Sequence, residues 1–120
     1  MSVERFIQAL KGRSELEITV KGRRTEKEHS VTVWFVHKEN RIYLLPVKGS
    51  NTEWYKNLLK DPNITLTVDG RLLRVKAEPV TKPDRVQRVI EIFAEKYGGI
   101  SEIRRWYSKL DVAVEIPLII

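Results

Sequence analysis

The sequence predicts one domain, spanning residues 1–120, of mainly antiparallel β structure: six strands that close into a small barrel, with helices packed outside it. Short stretches of alternating apolar and polar residues are punctuated by two hairpin signals, Lys38-Glu39-Asn40 and Asp69-Gly70. The predicted order, α-β-β-β-α-β-β-α-α-β, also lacks the regular strand–helix alternation of a parallel sheet. Closure into a barrel is favoured because it removes exposed edge strands.

The first part of the chain is predicted to form a helix followed by three strands. Apolar residues recur at helical spacing between a Ser2 cap and a stop at Gly12. Strict alternation over residues 16–20 indicates a half-buried strand. Residues 30–37 are β-branched and aromatic and predict a second strand, from which the chain returns through the first hairpin to a third strand over 42–47.

A helix and a second hairpin come next. Ser50-Asn51-Thr52-Glu53 has the pattern of a capping box, so a helix is predicted to begin there and to end at Asp61-Pro62. Alternation over 64–68 and 73–77, on either side of Asp69-Gly70, predicts two paired strands.

Two helices and a final strand complete the prediction. An apolar stripe after Pro83 predicts a long helix that ends at Gly98-Gly99. A shorter helix over about 101–110 precedes a last strand over 112–118.

Composition excludes several kinds of chemistry. The chain has no cysteine, which rules out disulfides, thiolate zinc sites and cysteine nucleophiles. His29 and His37 fall on one predicted strand about 26 Å apart, at ~3.3 Å per residue, so they are too distant to share a metal and no metal is expected. No nucleophile elbow or phosphate-binding loop is present, so the catalytic residues are unknown and an enzyme of this kind would depend on a cofactor.

The charge balance points to an anionic partner without choosing one. A net charge of +6 suits nucleic acid, an anionic membrane surface or a phosphorylated small molecule. No apolar run approaches 18 residues and no signal pattern opens the chain, so no membrane span and a cytoplasmic location are expected. The richness in Lys, Arg and Glu, with a single Met, favours a thermophilic source.

The junction between the third strand and the next helix is a candidate anion site. Lys48, Gly49 and Ser50 combine a cation, a permissive backbone and a hydroxyl just before a helix start, which suits phosphate. The alternative is that Ser50 only caps the helix together with Glu53, while Lys48 is solvated.

A longer stretch around this junction resembles a known family. Lys48-Gly49-Ser50, then Trp54-Tyr55-Lys56-Asn57-Leu58, then Asp61-Pro62 and the strand over 63–68 are similar to the FMN-binding split-barrel superfamily. Within it, they most resemble the deazaflavin (F-420 type)-dependent nitroreductase family. The turn Gly22-Arg23-Arg24-Thr25 is similar to a basic turn of that family.

The resemblance implies a six-stranded split β-barrel that holds a flavin-type cofactor, either the deazaflavin coenzyme or FMN, and transfers a hydride to or from a small organic substrate. It places the cofactor-binding groups at two basic segments and one aromatic residue: Arg23, Arg24, Thr25, Lys48, Gly49, Ser50 and Trp54. Asn51 and Thr52 stand where the pyridoxamine-phosphate-oxidase branch carries an Arg-Lys pair, which favours the deazaflavin coenzyme.

The resemblance also suggests a substrate pocket lined by Tyr97, Trp106 and Tyr107, and a homodimer with the cofactor at the subunit contact. The alternative for the last two aromatic residues is the buried stripe of a short helix.

A nucleic-acid-binding module without catalytic activity is the competing function. Its phosphate contacts would be cations on the second hairpin and the long helix: Arg71, Arg74, Lys76, Arg85 and Arg88. Aromatic residues do not interleave these cations as they do in single-strand binders, so the oxidoreductase hypothesis is preferred.

Overall fold

The protein folds into two four-stranded antiparallel sheets flanked by four helices. A computed structural model describes residues 2–118. The helices are α1 (Val3–Leu10), α2 (Glu53–Lys60), α3 (Pro83–Tyr97) and α4 (Ile100–Trp106). The strands are β1 (Glu15–Lys21), β2 (Glu28–Trp34), β3 (Val36–Lys38), β4 (Arg41–Leu44), β5 (Asn63–Val68), β6 (Arg71–Lys76), β7 (Glu78–Val80) and β8 (Ala113–Pro117).

The first sheet has the order β2-β1-β5-β6 and the second has the order β3-β4-β8-β7. Alternation in β1 places Leu16, Ile18 and Val20 on the buried face, as it does Ile64 and Leu66 in β5. These residues form the larger core with α1 and α2, whereas α3 and α4 cover a second core on the other sheet.

The prediction of mainly antiparallel β structure with external helices is confirmed, but the strand count and the closure are not. Eight strands form where six were expected, and neither sheet closes on itself within residues 2–118. The segment predicted as one strand over 30–37 is divided at Phe35 into β2 and β3, which belong to different sheets. β7 is added where Glu78–Val80 pairs with β8.

Tyr97, at the end of α3, forms hydrogen bonds with the backbone groups at the division between β2 and β3. The Phe35 N–H donates to the Tyr97 hydroxyl (3.0 Å), whose own proton is shared between the carbonyl oxygens of Phe35 (2.6 Å) and Ser14 (2.7 Å). The Lys96 ammonium also donates to the Phe35 carbonyl (2.7 Å). Burial raises the pKa of Tyr97 to about 12, so the hydroxyl stays protonated and can serve all three backbone groups.

A buried carboxylate supports the second sheet. Glu115 on β8 is 5% exposed and forms ion pairs with Arg41 on β4 and with Arg85 on α3. Because an unpaired charge is costly at this depth, the two arginines stabilise the packing of α3 against the sheet. Within residues 2–118, no helix is long and apolar enough to cross a membrane.

We expect Tyr97→Phe to lower the free energy of unfolding by about 1–3 kcal/mol, because the Phe35 N–H would lose its acceptor inside the protein. Urea denaturation measures this change. Tyr107→Phe is the matched control, since burial rather than a hydrogen bond raises the pKa of that phenol, and it should change the stability by less than about 0.5 kcal/mol. Equal losses in the two variants would contradict the bridging role of the Tyr97 hydroxyl.

Candidate functional site

A cavity of about 670 Å³ lies between the β1–β2 turn, the start of β2 and the N-terminal part of α2. We call it the turn–helix groove. Its wall is formed by residues 22–25, by His29 and Val31 of β2, and by Val47, Lys48, residues 51–54 and Asn57. The groove therefore brings together five of the seven residues predicted to bind a cofactor: Arg23, Arg24, Thr25, Lys48 and Trp54.

Arg23 attaches the β1–β2 turn to α2. Its backbone N–H and its guanidinium both donate to the side-chain oxygen of Asn57, at 3.1 and 2.8 Å. The guanidinium also pairs with Glu53 at 2.9 Å, and the Lys60 ammonium donates to the Arg23 carbonyl at 2.7 Å. The hydrogen bond and the charge of Arg23 lower the pKa of Glu53. Arg23 thus positions the turn, and its charge is already partly neutralised.

The floor of the turn–helix groove is apolar and open. In the β1–β2 ladder Val31 lies opposite Ile18, so both side chains point to the same face of the sheet. Ile18 is fully buried, but Val31 is 37% exposed and lines the cavity. Val47 is 46% exposed beside it, and Trp54 is buried beneath the groove surface.

Two cations at the rim of the groove form no ion pair within the part of the chain that the structure describes. Among residues 2–118, neither Arg24 nor Lys48 has a carboxylate oxygen within 4 Å, and both side chains are exposed. Apolar surface between unneutralised cations suits a flat ligand that carries a negative group.

The predicted anion site at Ser50 is engaged by the chain itself. A 3₁₀ turn, Gly49–Asn51, precedes α2, and the Ser50 N–H (2.9 Å) and hydroxyl (2.5 Å) both donate to the carboxylate of Asp111. Burial alone would raise the pKa of Asp111, but the bonds from Ser50 lower it overall. Gly49 and Ser50 therefore lie next to the turn–helix groove without lining it.

The capping-box interpretation of this junction is wrong in detail. The N-cap of α2 is Thr52, not Ser50, and the Thr52 hydroxyl accepts a hydrogen bond from the Lys48 N–H (2.8 Å). Asp111 was not found by sequence reasoning, because it lies 61 residues beyond Ser50 and no local pattern connects the two.

The three predicted substrate-pocket aromatics lie elsewhere. Tyr97 stacks on Trp34 (ring centroids 4.5 Å apart), and Tyr107 and Trp106 meet Trp34 edge-on. Tyr107 is buried in the second core, while Trp106 is 55% exposed and donates to Glu102. None of the three lines the turn–helix groove, because α3 and α4 pack on the other sheet.

No metal site accompanies the groove: within residues 2–118, no three side chains of His, Cys, Asp or Glu group together in a way that could hold an ion. His29 lies in the groove, where its ring packs against Gly22, whereas His37 lies on β3.

Comparison of the structure with solved structures defines the class of fold. An F420-H2 dependent reductase superimposes with a TM-score of 0.67 at 18% identity, covering 87% of this chain and 94% of the reductase chain. A putative pyridoxamine 5'-phosphate oxidase from Listeria innocua gives 0.67 at 11% identity, with 95% and 90% covered. A structure described as a domain-swapped dimer gives 0.68 at 18% identity, with 87% and 80% covered. The protein thus has a split-barrel-like fold.

The sequence assigns the chain to a family, which is a narrower class than the fold. Residues 6–113 match the model of a family described as an uncharacterized protein conserved in bacteria (DUF2255), and the chain belongs to that family. No curated protein matches the sequence.

We expect Gly49→Ala to destabilise the protein by about 2–4 kcal/mol, because the backbone is left-handed there (φ 55°) and a Cβ would lie 2.1 Å from the Asp111 carboxylate and 2.9 Å from the Lys109 carbonyl oxygen. Thermal or urea unfolding checks this. Gly70→Ala is the matched control: its φ is 74°, but no atom of residues 2–118 lies within 4 Å of the added Cβ, so only the backbone strain of about 1 kcal/mol applies. Equal losses at the two positions would contradict the close packing of Asp111 and the Lys109 carbonyl against the 3₁₀ turn.

Proposed function

We propose that the protein is an oxidoreductase that binds a flavin-type cofactor in the turn–helix groove and reduces a small organic molecule. The observation that carries this proposal is the combination, in one cavity, of an apolar floor at Val31 and Val47 with the cations Arg24 and Lys48. The split-barrel-like fold, shared with an F420-H2 dependent reductase, supports it.

The groove fits such a cofactor in size and in chemistry. Its volume of about 670 Å³ lies within the usual range for small-molecule sites. Val31 and Val47 offer apolar contact to the face of a planar ring, and burial of that contact is favourable at about 25 cal/mol per Å². Arg24 and Lys48 would neutralise a phosphate on the ligand, whereas Arg23 is occupied by Asn57 and Glu53.

The bound cofactor would supply the hydride chemistry, and the protein would supply binding and orientation. Trp54 and Val47 would exclude water from one face of the ring, leaving the opposite face to the substrate. Ser50 would contribute indirectly, because its two hydrogen bonds to Asp111 hold the 3₁₀ turn that follows Lys48, and Gly49 would supply the left-handed backbone of that turn.

Between the two cofactors, we favour the deazaflavin coenzyme over FMN. Of the residues that replace the Arg-Lys pair of the pyridoxamine-phosphate-oxidase branch, Thr52 is buried and bonded to the Lys48 N–H. Threonine is neutral, so it cannot supply the charge that the Arg-Lys pair would offer to a ligand phosphate. The substrate is proposed only as a small organic molecule.

We also propose a homodimer, in line with the domain-swapped dimer among the structures of the same fold. A second copy would cover the open side of the turn–helix groove, where Val31 and Val47 are exposed, and would enclose the bound cofactor at the subunit contact. Sedimentation analysis should give twice the 14.0 kDa chain mass, whereas a monomer at micromolar concentrations would contradict this proposal.

The purified protein should bind the deazaflavin coenzyme or FMN with a dissociation constant in the micromolar range or below, as measured by fluorescence titration. Arg24→Ala and Lys48→Ala should each weaken binding by about 1–3 kcal/mol, or about 5- to 150-fold, because each loses a charge-assisted contact. Arg71→Ala is the matched control: it removes an equal charge from the β5–β6 hairpin, outside the groove, and should leave affinity within twofold.

Two outcomes would contradict the proposed function. One is an equal loss of affinity in the Arg71→Ala control, which would show that binding depends on the overall positive charge of the protein and not on the groove residues. The other is the absence of binding to both cofactors together with salt-sensitive binding of a DNA duplex, which would favour the nucleic-acid-binding function.

A further inference from the structure

A second cavity, of about 500 Å³, lies outside the turn–helix groove. We call it the basic cleft. It is formed by residues 10–14, which run from the last residue of α1 to β1, by Phe35 just before β3 and His37 within it, and by Lys96 and Tyr97 at the end of α3. Three segments that are distant in sequence thus meet in one place, and none of them contributes to the turn–helix groove.

The basic cleft concentrates positive charge. Lys11, Arg13 and Lys96 all line it, and no Asp or Glu within residues 2–118 does. Arg13 pairs with Asp69 at 2.6 Å, so part of its charge is neutralised at the rim. Lys96 has no carboxylate within 4 Å among the described residues. Its ammonium is held in place by the Phe35 carbonyl (2.7 Å) and by the Phe35 ring, whose centroid is 3.8 Å away.

His37 adds an unsatisfied polar atom to the same cleft. Its ring nitrogen Nε2 is shielded from solvent and has no hydrogen-bond partner within residues 2–118. A buried polar group without a partner costs stability, so its persistence calls for an explanation. A ligand with oxygen atoms would provide the missing partner after rotation of the imidazole ring toward the cleft, since Nε2 itself is not accessible to solvent.

We propose that the basic cleft binds a small oxyanion, such as a phosphate or sulfate group, held by Lys96 and Lys11 and hydrogen-bonded to Nε2 of His37. This inference is independent of the proposed cofactor site. An oxyanion would provide a negatively charged partner for the cations of the cleft. Its oxygen atoms would provide a hydrogen-bond partner for Nε2.

Binding of the oxyanion should be linked to protonation of His37. Burial lowers the pKa of His37, a hydrogen bond with the Glu39 backbone raises it, and the charge of Lys96 lowers it further. The other facing groups are Lys11 and Arg13, with Asp69 beyond, and Tyr97, whose pKa of about 12 keeps it neutral. An anion among these cations stabilises the protonated imidazole, so it should raise the pKa of His37 and bind more tightly as the pH falls.

NMR titration of the two histidine rings tests this proposal directly. Sulfate is the probe, because its own charge does not change between about pH 5 and 8, and sodium chloride keeps the ionic strength constant. Saturating sulfate should raise the pKa of His37 by about 0.5 unit or more, which corresponds to at least about threefold tighter binding to the protonated form. His29 lies in the turn–helix groove and reports separately on that site.

Substitutions then locate the effect. Lys96→Gln should remove the sulfate-dependent change at His37, Lys96→Arg should retain it, and Lys82→Gln, an exposed lysine just before α3, should not alter it. The Lys96→Arg variant separates loss of the charge from loss of the fold.

The proposal is overturned if sulfate leaves the His37 titration unchanged, or if the change persists in Lys96→Gln. It is also overturned if His29 responds as strongly as His37, because the effect would then be general to the cationic surface. Failure here would leave the proposed cofactor site untouched, since the cofactor titration uses different residues.

Discussion

The turn–helix groove depends on one buried amide oxygen. Asn57 is 7% exposed, and its side-chain oxygen accepts both the backbone N–H and the guanidinium of Arg23. These two bonds fasten the β1–β2 turn to α2 and fix the width of the groove. Arg23 is engaged in these contacts, whereas the adjacent Arg24 lines the cavity and has no carboxylate oxygen within 4 Å among residues 2–118. A buried acceptor that lost its donors would cost about 1–3 kcal/mol, so the turn is held firmly.

The side of the groove that carries Lys48 also depends on hydrogen bonds between segments that are distant in the sequence. Asp111 receives two hydrogen bonds from Ser50 and so occupies the place that a ligand phosphate would otherwise take at the 3₁₀ turn. For the proposed cofactor site, the consequence is that positive charge would come from the side chains of Arg24 and Lys48 rather than from a helix start. The groove lies between segments that are far apart in the chain. Which charged groups line it is therefore determined by the packing of those segments.

Local patterns predicted the parts of the fold that local physics determines. Alternation placed the buried residues of β1 and β5 correctly, since side chains on a strand alternate between faces. The Asp69-Gly70 turn forms as expected, with φ values of 51° and 74° that a tight hairpin requires. The sequence also directed attention to the two basic segments, at residues 23–25 and at Lys48, that the structure brings to one cavity.

What the sequence did not predict depends on long-range contacts. The chain divides at Phe35 because Tyr97, 62 residues away, supplies backbone hydrogen bonds there, and no alternation pattern encodes that partner. The role of Ser50 was misjudged for the same reason, since Asp111 rather than the helix start receives its hydroxyl. The basic cleft likewise assembles from three distant segments and left no motif in the sequence.

The most direct test of the central claim is a map of backbone amide NMR shifts as the deazaflavin coenzyme, and then FMN, is added to the protein. If the turn–helix groove is the cofactor site, the largest shifts should fall at Arg24, Lys48 and Trp54 and their immediate neighbours. Shifts concentrated at the basic cleft or scattered over the surface, or no saturable shifts with either cofactor, would contradict the account.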